Sequence, residues 1–162
     1  ADYINFIDSL ILKLFGRKPG IHKCKKTNAS KIYLSGSELI KYITKQGIKI
    51  GHKVKMQVDI PPWIKDNKEF SKACVRGLID TDGCVFNEVH RIKEINYCYK
   101  RINFTNFSQP LLASVFKILD DNGLSPKKRK VSFLQIEDKN SIRKYFEIIG
   151  THNKKHLKRY YE

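Results

Sequence analysis

Ile4, Ile7, Leu10, Ile11, Leu14 and Phe15 recur at the spacing that gathers side chains on one face of a helix, and Gly16 and Pro19 end the run. A helix over 2–15 is predicted. Residues 21–26 and 31–34 read as extended segments of a hairpin around Thr27-Asn28-Ala29-Ser30, and 37–46 as a second helix with Ser37 at its N-cap and Gly47 beyond its end. Ile60-Pro61-Pro62-Trp63-Ile64 carries adjacent prolines, which neither continue a helix nor pair inside a sheet, so a stiff and mostly extended connector is expected. A strong helix follows at 68–81, then two strands rich in β-branched and aromatic residues at 84–92 and 95–104. Leu112, Val115, Phe116 and Leu119 mark a helix over 109–122 that Gly123 stops. A strand at 130–136 and a helix at 141–149, closed by Gly150, complete the pattern.

The order of elements repeats. Lys41-Tyr42-Ile43 with Gly47 corresponds to Lys144-Tyr145-Phe146 with Gly150 at a constant offset, and a basic segment follows each glycine. In 162 residues with 41% hydrophobic content this suits two small units sharing a core.

Charge narrows the partners. Lys and Arg total 32 against 16 Asp and Glu, a formal charge of +16, which favours polyanions through counterion release. The apolar runs are too short and too interrupted to cross a bilayer, and neither a signal peptide nor a lipidation signal stands out, so an intracellular protein without a membrane partner is expected, its compartment open. Cys24, Cys74, Cys84 and Cys98 form no CxxC pair and read as reduced, mostly buried thiols. His152 and His156 have helical chelating spacing but lie in a lysine-rich tail, where a solvated or phosphate-facing helix end is the better reading.

The helix at 68–81 carries the chemistry. Ala73, Gly77 and Thr81 form a stripe of small side chains along which a second helix backbone can approach closely. Asp80 and Asp82 sit at its C-terminal end, where exposed carbonyls disfavour a carboxylate, so a positive charge is expected beside them. A divalent cation would serve, and Asp82-Gly83 also reads as an ordinary helix-to-strand turn.

Val75-Arg76-Gly77-Leu78-Ile79-Asp80-Thr81-Asp82-Gly83 resembles the LAGLIDADG motif of the homing endonucleases, matching it at Gly77, Leu78, Ile79, Asp80, Asp82 and Gly83. The resemblance implies an α+β fold of pseudo-repeated αββαββα units whose sheets form a DNA-binding saddle. Residues 1–59 would be a partial first unit without its motif helix and first hairpin, 60–67 a connector, and 68–162 a complete second unit. It implies a site-specific endonuclease on double-stranded DNA, with two motif helices paired through Ala73, Gly77, Asp80 and Thr81 and Asp82 holding Mg²⁺ or Mn²⁺ at the scissile phosphate. The family's basic residue after the last helix of each unit points to Lys53 and Lys155, taken as repeat equivalents, and its polar supporting position to Asn106. Only one motif helix is visible, so either a second copy in a homodimer or a separate segment would supply the other, and Ala1-Asp2-Tyr3, entering a helix at once, suggests a truncated start.

If the 84–104 hairpin lies in a groove, alternation turns Val85 and Val89 inward. Phe86, Glu88, His90, Tyr97, Tyr99, Arg101 and Asn103 then face the DNA, with Arg101 suited to guanine and Asn103 to adenine. Lys127-Lys128-Arg129-Lys130 reads as a phosphate-contacting or solvated loop. Two other functions stay open: a non-cleaving module of the same fold, such as an intron-RNA maturase or DNA-binding regulator, and a basic RNA-binding domain, for which no RRM or KH signature is present.

Overall fold

The computed structural model describes residues 2–24 and 30–162. The chain divides into two compact units, residues 1–46 and 47–162. The first contains α1 (Asp2–Phe15), β1 (Gly20–Lys23), β2 (Ser30–Tyr33) and α2 (Ser37–Lys45). The helices fall where the apolar spacing places them, except that Gly36 and not Ser37 occupies the N-cap of α2. The expected turn at 27–30 lies largely outside the described residues. β1 and β2 are antiparallel, and Gly20 opposes Tyr33, whose ring occupies the space a Cβ at position 20 would need. Two helices and a two-stranded ribbon offer little to bury. Leu10, Leu14, Ile40 and Tyr42 remain exposed in consequence.

The second unit runs through α3 (Pro62–Lys65), α4 (Lys68–Asp82), β3 (Gly83–Ile92), β4 (Ile95–Thr105), α5 (Gln109–Asp121), β5 (Lys127–Lys130), β6 (Phe133–Ile136), α6 (Lys139–Ile148) and α7 (Lys154–Tyr161). The proline pair does not give an extended connector. Pro61 is extended (φ −55°, ψ 144°), but Pro62 takes the first helical position, where its missing N–H costs nothing, and starts a short turn of helix. The segment before it belongs to this unit by its hydrogen bonds. Ser108 Oγ donates to Val58 O, Ser114 Oγ donates to Asp59 Oδ1 at 2.6 Å, and Gln57 Oε1 accepts from the Gln109 N–H at 2.9 Å.

The sheet has the order β3-β4-β6-β5, every neighbouring pair antiparallel. The single strand expected at 130–136 is instead β6 with a second strand, β5, formed by Lys127-Lys128-Arg129-Lys130, so that basic run is a sheet edge and not a loop. An edge strand with no buried face shows no apolar alternation, which is why it was invisible in the pattern. Register puts Val85, Ile102, Phe104, Leu134 and Ile136 on one face, all buried against Val75 and Ile79 of α4, Leu112, Val115 and Leu119 of α5, and Tyr145 and Ile149 at the end of α6. Val89, expected inward, is 61% exposed, because the β3–β4 hairpin runs past the helices that cover its base. The thiols also depart from expectation: Cys24, Cys74 and Cys84 are half-buried and Cys98 is exposed.

Candidate DNA-facing site

Asn67 starts α4 by accepting the N–H groups of Glu69 and Phe70, each at 3.0 Å. The helix ends at Asp82, and the chain passes directly into β3 through Gly83. A Cβ at Gly83 would stand 2.5 Å from Ile79 O and 2.8 Å from Asn103 O, so only glycine lets the helix end and β4 come this close. Asp82 thereby projects beside the sheet at the carbonyl end of α4, where a carboxylate is disfavoured. Lys53 Nζ, 3.0 Å from Asp82 Oδ2, is the positive charge that position calls for. Both side chains keep contact with solvent, at 57% exposure for Lys53 and 37% for Asp82.

The other two expected catalytic residues have partners of their own. Lys155 is exposed in the first turn of α7, its N–H accepted by Asn153 Oδ1 at 3.1 Å. The offset that aligns Gly47 with Gly150 matches Lys53 to His156, not to Lys155, so the two lysines are not strict repeat equivalents. Asn106 is buried, and its Oδ1 accepts the Ser108 N–H at 2.9 Å, fixing the turn into α5.

Asp80 is not on the helix-pairing face. It is 3% exposed and turned into its own unit, where it accepts the Thr151 hydroxyl and the His152 N–H (2.8 Å), with His156 Nδ1 at 3.6 Å. Its backbone oxygen also accepts Asn153 Nδ2 at 3.0 Å. Burial pushes the Asp80 pKa up, but the His156 ring, the Thr151 hydroxyl and the His152 amide outweigh it and hold the carboxyl below its ordinary value. His156 is correspondingly buried, contrary to the solvated helix end expected of it. Ala73, Gly77 and Thr81 do share an exposed stripe, and a Cβ at Gly77 would meet nothing within 4 Å. Thr81 returns its hydroxyl to Gly77 O at 3.0 Å and Leu78 O at 3.2 Å.

Among the described residues no group of three or more His, Cys, Asp or Glu side chains is arranged to hold a metal ion. Asp82 offers a single carboxylate, which fits a hard divalent cation that takes its remaining ligands from water, phosphate and a further carboxylate.

On the sheet face opposite the core, register aligns Cys84, Asn103, Gln135 and Lys127 in one row across four strands, with Phe86 opposite Arg101, Glu88 opposite Tyr99 and His90 opposite Tyr97. Phe86 is half-buried, and Tyr97 and Tyr99 are exposed. Arg101 is held by its neighbours in the sheet. Its side chain is only 14% exposed; Nε donates to Glu88 at 3.0 Å, Nη1 donates to Lys100 O and Glu137 O, and the guanidinium lies over the Tyr99 ring at 5.1 Å. His90 Nε2 is 3.2 Å from Glu88, and its ring meets Tyr99 edge-on. His90 and Arg101 hold Glu88 below the ordinary carboxylate range. Arg129 and Lys127 both pair with Glu137, while Lys128 and Lys130 are exposed on the β5 edge. Gln135 was missed in the sequence. The period-two pattern of Phe133-Leu134-Gln135-Ile136 was the available signal, once that segment is known to pair with β4.

An antiparallel sheet packed on one face by helices, with a carboxylate at the foot of the helix that feeds its first strand, defines an α+β unit of the αββαββα kind with one further helix. A family model for the LAGLIDADG-like domain matches residues 69–160, more than half of the chain, and the chain belongs to the LAGLIDADG family. No curated protein matches it. Among solved structures, the homing endonuclease I-CvuI, in complex with its target Sro1.3 in the presence of 2 mM Ca, is similar at 16% identity and a TM-score of 0.40. The match covers 51% of this chain and 55% of that one, about half the length of each. No helix among the described residues is long and apolar enough to cross a membrane.

Proposed function

We propose that this chain is a metal-dependent endonuclease acting on double-stranded DNA, with Asp82 as the metal-holding acid and Lys53 as its basic partner. The observation that carries this reading is the Lys53–Asp82 pair, at 3.0 Å, at the C-terminal foot of the motif helix. Asp82 would hold Mg²⁺ or Mn²⁺. Such an ion would supply Lewis-acid polarisation of a phosphate oxygen and a water activated at neutral pH. Lys53 neutralises the carboxylate in the free protein and supplies positive charge to the phosphate when DNA is present. Tyr97, Tyr99 and Lys130 would meet the duplex from the open face and edge, whereas Lys128, opposite Leu134, stands on the helix-covered side. The formal charge of +16 supplies the sequence-independent attraction. The open stripe of Ala73, Gly77 and Thr81 is the surface on which a second motif helix, from another copy or another segment, would bring a second carboxylate.

The test is Mg²⁺-dependent cleavage of a supercoiled plasmid library by the wild-type chain, by Asp82→Asn and by Lys53→Met, alongside duplex binding at several salt concentrations. Wild type is expected to give linear product, or nicked product if one carboxylate acts alone, and Asp82→Asn none. Binding is expected to survive in both variants and to fall by about 10³-fold or more between 50 and 200 mM salt if six or more phosphates are contacted. Cleavage by Asp82→Asn overturns the assignment. Salt-sensitive binding by all three proteins with no cleavage by any of them replaces it with a non-cleaving binding module.

A further inference from the structure

We propose that Asn103 and Gln135 act as one unit that recognises the major-groove edge of a single adenine, making an A·T pair obligatory at one position of the bound site. The proposal rests on the reading that the open face of the sheet meets duplex DNA.

Asn103 on β4 and Gln135 on β6 are direct partners in the register and stand on the open face. Gln135 Nε2 donates to Asn103 Oδ1 at 2.9 Å. One amide N–H and one amide oxygen are consumed in that bond. Asn103 Nδ2 and Gln135 Oε1 remain, an NH₂ donor beside an oxygen acceptor. Turning both amides over exchanges which residue supplies which group but leaves the same complement, so the recognition surface does not depend on how nitrogen and oxygen are assigned.

A donor beside an acceptor matches adenine, whose major-groove edge presents the N7 acceptor next to the N6 amino donor. Guanine presents two acceptors and would set its O6 against the amide oxygen. Cytosine offers only an amino donor and thymine only an oxygen with a methyl, so each would leave one of the two amides without a partner. Holding each amide against the other removes rotamer freedom before DNA arrives, which lowers the ordering cost at binding.

The neighbours strengthen the assignment by being committed elsewhere. Arg101, the side chain best suited to guanine, is spent on Glu88, two backbone carbonyls and the Tyr99 ring, and Lys127, at the end of the same row, is 3.1 Å from Glu137. The amide pair is left with open hydrogen-bonding capacity in the middle of the sheet.

Binding-site selection from a randomised duplex pool, in Ca²⁺ to prevent cleavage, tests this with the wild-type chain, Asn103→Ala, Gln135→Ala and Gln135→Glu. The wild type is expected to require A·T at one position by about 10- to 100-fold. Either alanine variant should flatten that position alone and keep the salt dependence of binding. Gln135→Glu, which offers only acceptors, should move the preference there toward cytosine. Selection in which every A·T requirement survives both alanine variants overturns the proposal and leaves the DNA reading intact. A wild-type chain that enriches no sequence and shows no salt-sensitive duplex binding overturns both.

Discussion

Asp80 lies at the joint between the motif helix and the last helix, and Asp80→Asn isolates what its charge contributes. The wild-type carboxylate accepts the Thr151 hydroxyl and the His152 N–H, and hydrogen bonds to a charged acceptor contribute about 1.5–3 kcal/mol each. An asparagine of the same shape keeps an acceptor for the His152 N–H and turns its NH₂ toward Thr151, whose hydroxyl oxygen accepts it. Both bonds then survive, each at a neutral strength of about 1 kcal/mol. The expected loss is about 1–4 kcal/mol, read as a lower urea midpoint at pH 7 with an unchanged slope. Its pH dependence has a definite sign. The Asp80 carboxyl is held below its ordinary 3.8 in the folded protein, so its stabilising contribution is fully present above that value and is lost as pH falls through the lower folded pKa. The gap between wild type and variant should therefore be widest near neutrality and close in acid, below about pH 4. A loss under about 1 kcal/mol at pH 7, or a gap that widens in acid, would refute the reasoning.

Two further changes probe the same unit. Tyr145 is almost wholly buried, and its hydroxyl finds no hydrogen-bond partner among the described residues, while burial and the Asp80 charge both push its pKa up. Tyr145→Phe is therefore expected to leave the thermal midpoint unchanged or raise it, and a loss above about 2 kcal/mol would mean that the hydroxyl is in fact satisfied. Asn67→Ala removes two N-cap bonds from the motif helix and should lower stability by about 1 kcal/mol in chemical denaturation, with no effect if the helix begins elsewhere.

Helices α1, α2, α4, α5 and α6 and the long hairpin were legible because each carries its own periodicity: Val75 with Ile79, Leu112 with Val115 and Leu119, and Val85 alternating with its neighbours report burial directly. Elements without such a face were not. Lys127-Lys128-Arg129-Lys130 forms a strand through its pairing with β6, and Pro62 starts a helix because the first helical position tolerates the residue that ends helices elsewhere. Asp82 could be singled out from its motif, and the need for a cation beside it from the carbonyl end of the helix. The resemblance pointed to Lys53, and its pairing with Asp82 followed from the fold. The roles of Asp80, Arg101 and Asn106 are set by partners distant in sequence, Thr151 and His152 for the first and Glu88 and Glu137 for the second, or, for Asn106, by a tight local turn that its spacing did not announce.

The absence of a side chain at Gly83 fixes a ruler. Because Ile79 O and Asn103 O close around that α-carbon, the acid at position 82 cannot slide relative to the strand that carries Asn103. Under the proposed function, exchanging side chains along β4 would alter which sequence is preferred while the spacing between the preferred bases and the carboxylate stayed constant. Variants selected for new sites would then keep one cutting offset, and changing it would require rebuilding the turn at Gly83.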